Sequence, residues 1–234
     1  MKILLFDLDG TLVHAGGAGK RALNKAMKHL YGVSDACDRV DLSGRTDLDN
    51  FTLAYQRNLH KKPSSREVTR IGSTYLKYLP GEVKRALRHK RYRPLPGIRR
   101  FLYLLSRKPG VLVGLGTGNI EKGAWVKLKP SGLNKYFSFG GFGADHRHRA
   151  RMLKMAVARA KKLIKKKGTD PFFYNDVFVI GDTHLDVLAG KKAGYKTIAI
   201  TSGFGDIKQI IKARPNFVAR DFRNRKVWFR WLGI

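Results

Sequence analysis

Asp7 and Asp9 stand two residues apart at the end of a short apolar run, Ile3-Leu4-Leu5-Phe6. Such a run reads as a strand buried on both faces. Strand side chains alternate, so both carboxylates can project to the same side as the chain leaves the sheet. Two carboxylates held together repel each other unless a cation lies between them. The carboxyl ends of strands are also where open α/β sheets bind ligands. An aspartate-rich turn bent at Gly10 would account for the same residues, so the rest of the chain must decide.

It repeats the pattern twice. Val111 to Leu115 reads as a second buried strand ending in Gly116-Thr117-Gly118-Asn119, just before a helix that begins near Glu121. A hydroxyl and free amides in that position suit a phosphate-sized anion, although GTGN is equally compatible with a plain helix cap. Val177 to Ile180 reads as a third strand, followed by Gly181-Asp182-Thr183-His184-Leu185-Asp186. In a parallel sheet these ends meet on one rim, bringing together Asp7, Asp9, Thr117, Asp182 and Asp186. Carboxylates so grouped call for a hard cation with oxygen ligands, and Mg²⁺ suits them better than zinc because no cysteine or paired-histidine set accompanies them. With a hydroxyl, amides and a basic side chain nearby, the chemistry is phosphoryl transfer.

The elements that must position these groups fall into two kinds. Residues 14 to 92 are helical: Ala22, Leu23, Ala26, Met27 and Leu30 recur at helical steps up to Gly32, and two or three further helices follow. Pro80-Gly81 and the Pro94-Leu95-Pro96-Gly97 stretch punctuate the far end. Within this insertion, Ser43-Gly44-Arg45-Thr46-Asp47 is either a helix start capped by Thr46 or Asp47, or a loop that lowers Arg45 and Thr46 onto a substrate. From Gly97 onward helices and strands alternate. A short strand is expected within 137–142, a helix from about Ala150 to Lys166, strands at 197–200 and 217–218, and an aromatic C-terminal helix docked on the core. The lysines Lys161-Lys162 and Lys165-Lys166-Lys167 read as a solvated helix face. The expected class is α/β: a Rossmann-like parallel sheet from residues 1–13 and 93–234, with residues 14–92 as a helical cap.

Composition narrows the field. The 234 residues are 43% hydrophobic and contain no apolar run long enough to span a membrane. Asp7 and Asp9 interrupt the one candidate signal-peptide region. The single cysteine, Cys37, excludes an intramolecular disulfide framework and fits a cytoplasmic location. Lys and Arg number 48 against 17 acids, a formal net charge of +31. Such a surface attracts nucleic acid and phosphorylated metabolites alike. The basic residues are spread from Lys20 to Arg230 rather than gathered in a stripe, which argues for diffuse, non-specific attraction.

The motifs also match a family. DLDGTL at 7–12, the strand-end Thr117 and GDTHLD at 181–186 resemble the haloacid dehalogenase superfamily of aspartyl-phosphate hydrolases. GRTD at 44–47 and the insertion after the first motif look most like its phosphoglycolate-phosphatase-like branch. The resemblance implies Asp7 as nucleophile and Asp9 as general acid and base. It implies Mg²⁺ held by the Asp7 and Asp182 side chains and the Asp9 carbonyl, with Asp186 a ligand or the orienter of a bound water. Thr117 and the amides near Gly118 and Asn119 would take the phosphoryl oxygens. The family's usual lysine before the last strand is missing from GADHRHRARMLKMA. Arg149 is the preferred substitute, with His146, Arg147 and Arg151 as the other choices. The implied activity is hydrolysis of a small phosphorylated metabolite such as phosphoglycolate. The alternatives are a phosphatase acting on nucleotides or nucleic-acid ends, and a basic nucleic-acid-binding protein on the same fold.

Overall fold

The computed structural model describes residues 1–38, 40–166 and 176–234. Strand β1 (Lys2–Phe6) leads through a short β2 (Val13–Ala15) to three helices, α1 (Ala18–Tyr31), α2 (Asp47–Leu59) and α3 (Ser65–Arg88). The chain returns along β3 (Tyr92–Pro94), which pairs antiparallel with β2. It then alternates: α4 (Ile98–Ser106), β4 (Val111–Thr117), α5 (Glu121–Leu128), two 3₁₀ turns, β5 (Gly140–Phe142) and α6 (Arg149–Lys166). Beyond these come β6 (Asp176–Gly181), α7 (His184–Ala193), β7 (Lys196–Ile200), α8 (Ile207–Lys212), β8 (Phe217–Ala219) and α9 (Arg225–Leu232).

Among the described residues the main sheet has six strands, in the order β5-β4-β1-β6-β7-β8, all neighbours parallel. Strand β1 is flanked on both sides, as its unbroken apolar run requires. The chain first adds strands on one side of β1 and later on the other, so the switch in direction lies beside it. Register makes the motif ends level: Phe6 pairs with Leu115 on one side and Ile180 on the other. One step further along each strand the chain reaches Asp7, Gly116 and Gly181.

Strand alternation divides the core between the two faces. Leu4 and Phe6 face one way with Leu115, Ile180, Phe101 and Trp228, while Ile3 and Leu5 face the other with Val179, Met152 and Ala156. The aromatic tail docks as expected, through Trp228, whose indole Nε1 donates to the Asp221 carbonyl at 3.0 Å. Helices α1, α2 and α3 build a cluster of their own around Leu23, Met27, Phe51, Ile71, Tyr75 and Leu79. Cys37 lies within it, and burial pushes its thiol up to about 12, so it fills space and stays protonated.

Pro80-Gly81 does not end a helix, because α3 continues through it to Arg88. A proline inside a helix costs about 3 kcal/mol, and here the apolar spacing outweighs it. Tyr75, Leu79, Val83 and Ala86 keep one buried stripe on both sides of Pro80, whose own ring is exposed. The same stretch is anchored by buried Glu82, bonded at 2.6 Å to both Arg21 and Lys25. Of the lysine run on α6, Lys162 and Lys165 are exposed and Lys161 is half-buried; Lys167 falls outside the described residues.

Candidate active site

The rim of the sheet gathers three of the four motif carboxylates. Oxygens of Asp7, Asp182 and Asp186 lie within 4.8 Å of one another, and all three residues are buried. Burial first, and the Asp186 charge next, push Asp7 well above the usual carboxylate range, against the pull of Arg149. The same two causes push Asp182 up to about 7. Buried like charges raise one another's proton affinity when no cation offsets them. The donor set, three carboxylates with no sulfur or imidazole, fits a hard divalent cation.

Local folding aims these groups. Thr11 Oγ1 donates to Asp182 Oδ1 at 3.2 Å and the Phe204 amide donates to Asp182 Oδ2 at 2.7 Å. Gly10 makes the turn at φ +81°, and a Cβ there would collide with the Asp182 carboxylate. Only glycine meets both conditions. Asp186 closes a capping box with Thr183 at the start of α7, so its Oδ2 accepts from the Thr183 amide and hydroxyl. Its Oδ1 accepts from Arg149 Nη2.

Of the four basic side chains considered for the missing lysine, the structure brings Arg149 to the carboxylates. It opens α6, and its guanidinium pairs with Asp186, stands 3.8 Å from Asp7 and donates to the Gly44 carbonyl at 3.0 Å. Burial opposes its charge, but Asp186, Asp7 and Asp182 together hold its pKa above the ordinary value. Its Nε is buried with no hydrogen-bond partner among the described residues. Arg147 and Arg151 are exposed; Arg151 Nη1 lies 3.4 Å from His146, whose Nδ1 accepts from the His148 amide.

Asp9 stands outside the cluster and forms a second one. Its Oδ2 accepts from Lys127 Nζ at 2.5 Å and from Asn119 Nδ2 at 3.0 Å. Lys127 also donates to Asn119 Oδ1 at 2.6 Å, and Asn119 Nδ2 to Thr117 Oγ1 at 2.9 Å. Thr117 is fully buried, whereas Gly118 and Asn119 line the cavity. Nothing in the sequence singled out Lys127. It lies on α5, ten residues past Thr117, in a chain crowded with basic residues.

The helices α1 to α3 close over this rim through the start of α2. The Asp47 amide donates to the Gly118 carbonyl at 2.7 Å, and the Ile120 amide to Asp47 Oδ2 at 2.9 Å. Gly118 permits the approach, because a Cβ would strike the Arg45 carbonyl. Arg45 is exposed and lines the cavity. Thr46 is the α2 cap: its hydroxyl accepts from the Asp49 amide, donates to Asp49 Oδ2 at 2.7 Å and does not line the cavity. The cavity, about 380 Å³, is walled by Asp7, Asp9, Asp182, Arg149 and Lys127 below and by Asp47, Phe51 and Tyr75 above.

A model of the haloacid dehalogenase-like hydrolases matches residues 4–200, which is most of the chain. The chain belongs to this family. It is similar to a phosphoglycolate phosphatase of Mesorhizobium japonicum, 24% identical over 94% of this chain and 91% of the relative. A second phosphoglycolate phosphatase, from Agrobacterium fabrum, is 27% identical over 94% and 88% of the two chains. Among solved structures, CbbY from Rhodobacter sphaeroides in complex with phosphate shares the fold with a TM-score of 0.68 at 17% identity, covering 95% of each chain. As a member of the haloacid dehalogenase-like hydrolases the protein is an enzyme, and the fold expected from its motifs is the one present. No described helix is long and apolar enough to cross a membrane.

Proposed function

We propose that the protein is a Mg²⁺-dependent phosphatase that hydrolyses a small organic phosphate monoester, phosphoglycolate or a close analogue, through an aspartyl-phosphate on Asp7. The observation that carries this reading is the buried group of Asp7, Asp182 and Asp186 within 4.8 Å, with Arg149 reaching 3.8 Å from Asp7. The names of the relatives and the size of the cavity, at the small end of ligand sites, support a small substrate.

Asp7 attacks phosphorus, so that a carboxylate–phosphorus bond forms as the ester P–O bond breaks. Asp9 gives its proton to the departing alkoxide, then takes one from the water that hydrolyses the aspartyl-phosphate. Arg149 and the Gly118 and Asn119 amides face the phosphoryl oxygens, and buried Thr117 holds Asn119 in place. Arg45 faces the rest of the substrate from the cap formed by residues 14–92, while Thr46 fixes the loop that carries it. Mg²⁺ would be held by Asp7, Asp182 and the Asp9 carbonyl, with Asp186 beside it. It would offset a repulsion of about 4 kcal/mol per charge pair at 4 Å between nucleophile and phosphate.

The net charge of +31 favours a second reading, action on nucleotides or nucleic-acid ends. One screen separates the two: phosphate release with Mg²⁺ from phosphoglycolate, other small phosphate esters, nucleotides and end-phosphorylated oligonucleotides. Turnover is expected to be fastest on a small ester and abolished in Asp7→Asn. Metal-dependent turnover that survives in Asp7→Asn refutes the nucleophile assignment.

A further inference from the structure

Lys127 has no part in the chemistry above, yet it is 5% exposed and in direct contact with Asp9. A lysine is seldom buried without a partner of opposite charge. Burial works against its ammonium, but the Asp9 carboxylate, the Tyr75 hydroxyl and the Asp47 carboxylate outweigh it and hold the group charged. Two of those three neighbours, Asp47 and Tyr75, come from α2 and α3. The ammonium therefore sits where the sheet and the helical insertion meet.

Its bonds divide the two oxygens of Asp9. Lys127 and Asn119 both donate to Oδ2, and Oδ1 receives no hydrogen bond from the described residues. A carboxyl group so held takes its proton on the free oxygen, because Oδ2 is already filled by donors. We propose that Lys127 is the positioning residue of Asp9: with Asn119 it pins Oδ2, leaving Oδ1 as the oxygen that exchanges protons with the ester and with water. Lys127 acts through Asp9 and does not itself touch the phosphoryl group. The inference rests on the reading of Asp9 as general acid and base.

Leaving-group dependence tests it. An alkoxide departs slowly without a proton, whereas p-nitrophenolate departs readily without one. The constant kcat/KM covers the steps up to loss of the leaving group, so it reads proton delivery directly. Lys127→Met keeps the apolar stem and removes the donor. It is expected to lower kcat/KM about 100-fold on the fastest small alkyl phosphate and less than about threefold on p-nitrophenyl phosphate. A structural defect would lower both alike, and equal losses overturn the proposal. If Lys127→Met does not fold, as judged by circular dichroism and a thermal melt, Lys127→Gln is read against the same criterion. Asp9→Asn separates this inference from its premise. If Asp9→Asn discriminates between the two esters and the Lys127 variants do not, the positioning role alone fails. If Asp9→Asn lowers both equally, Asp9 is not the acid and both ideas fall.

Discussion

Asp7, Asp182 and Asp186 share a single guanidinium, that of Arg149, whereas Asp9 and Asp47 share the ammonium of Lys127. Asp7, Asp182 and Arg149 on one side and Asp9, Asp47 and Lys127 on the other line the same cavity, and burial pushes up a carboxyl in each group: Asp182 to about 7 and Asp47 to about 6. They differ in how nearly the protein completes the charge balance by itself. On the Lys127 side the balance is closer, and Asn119 and the Ile120 amide add donors. On the Arg149 side three carboxylates face one cation, and Asp7 receives no side-chain hydrogen bond among the described residues beyond that distant guanidinium. One half of the site holds a side chain still; on the proposed function the other is the half that a cation and a phosphate would complete.

The sharpest way to break this contrast is Arg149→Met, which leaves the three carboxylates with no protein cation. Removing one partner of a buried pair costs about 3–5 kcal/mol. In chelator the variant is expected to lose stability on that scale in urea melts, with much of it restored by Mg²⁺. Loss without restoration would show that the cluster does not take the ion.

Next in size is the pH dependence of the metal-free protein. Asp182 is raised from 3.8 to about 7, so between those values the native state binds more protons than the unfolded chain. The sign follows: stability falls as pH rises through that window, by an amount on the order of a few kcal/mol. Asp7 shifts the same way. Thermal melts in chelator should give a lower Tm at pH 8 than at pH 5, and Mg²⁺ should raise Tm more at pH 8. A metal-free Tm that climbs over this range contradicts the assignment.

The smallest effect belongs to Asp47→Asn, which keeps an acceptor for the Ile120 amide but cannot ionise. With Asp47 raised from 3.8 to about 6, the native state keeps a proton that the unfolded chain gives up between those values, so the cost to the fold builds up over that window and stays constant above it. The variant should approach the parent's stability as pH falls below about 4 and equal or exceed it at pH 8, by about 1 kcal/mol, the difference opening between about pH 4 and 6. A loss at pH 8 would mean that Lys127 depends on the Asp47 charge more than burial penalises it.

What the sequence revealed and what it hid follow the same division. The Arg149 side was legible because Asp7 and Asp182 each follow an apolar strand and Asp186 opens the helix after the second, and parallel strands must bring their ends together. Arg149 could be shortlisted because its place in the chain was one where a cation was missing. Lys127 carried no such mark: α5 has little amphipathic contrast, and its importance comes from Asp9, 118 residues away in the chain. Local pattern left Thr46 open between a helix cap, shared with Asp47, and a substrate contact; its hydroxyl caps α2. Pro80 misled because the proline is a local signal, while the stripe that overrides it depends on packing against α1.

The pairing of β2 with β3 places Ala15 opposite Tyr92, so the chain leaves the sheet and returns to it through adjacent residues. The helices between them hang from a ribbon whose two edges are hydrogen-bonded together. Excising that whole loop and joining its ends by a tight turn would leave a hairpin instead of a severed backbone. The strand order around Asp7 would be untouched, and Lys127 would be opened to water.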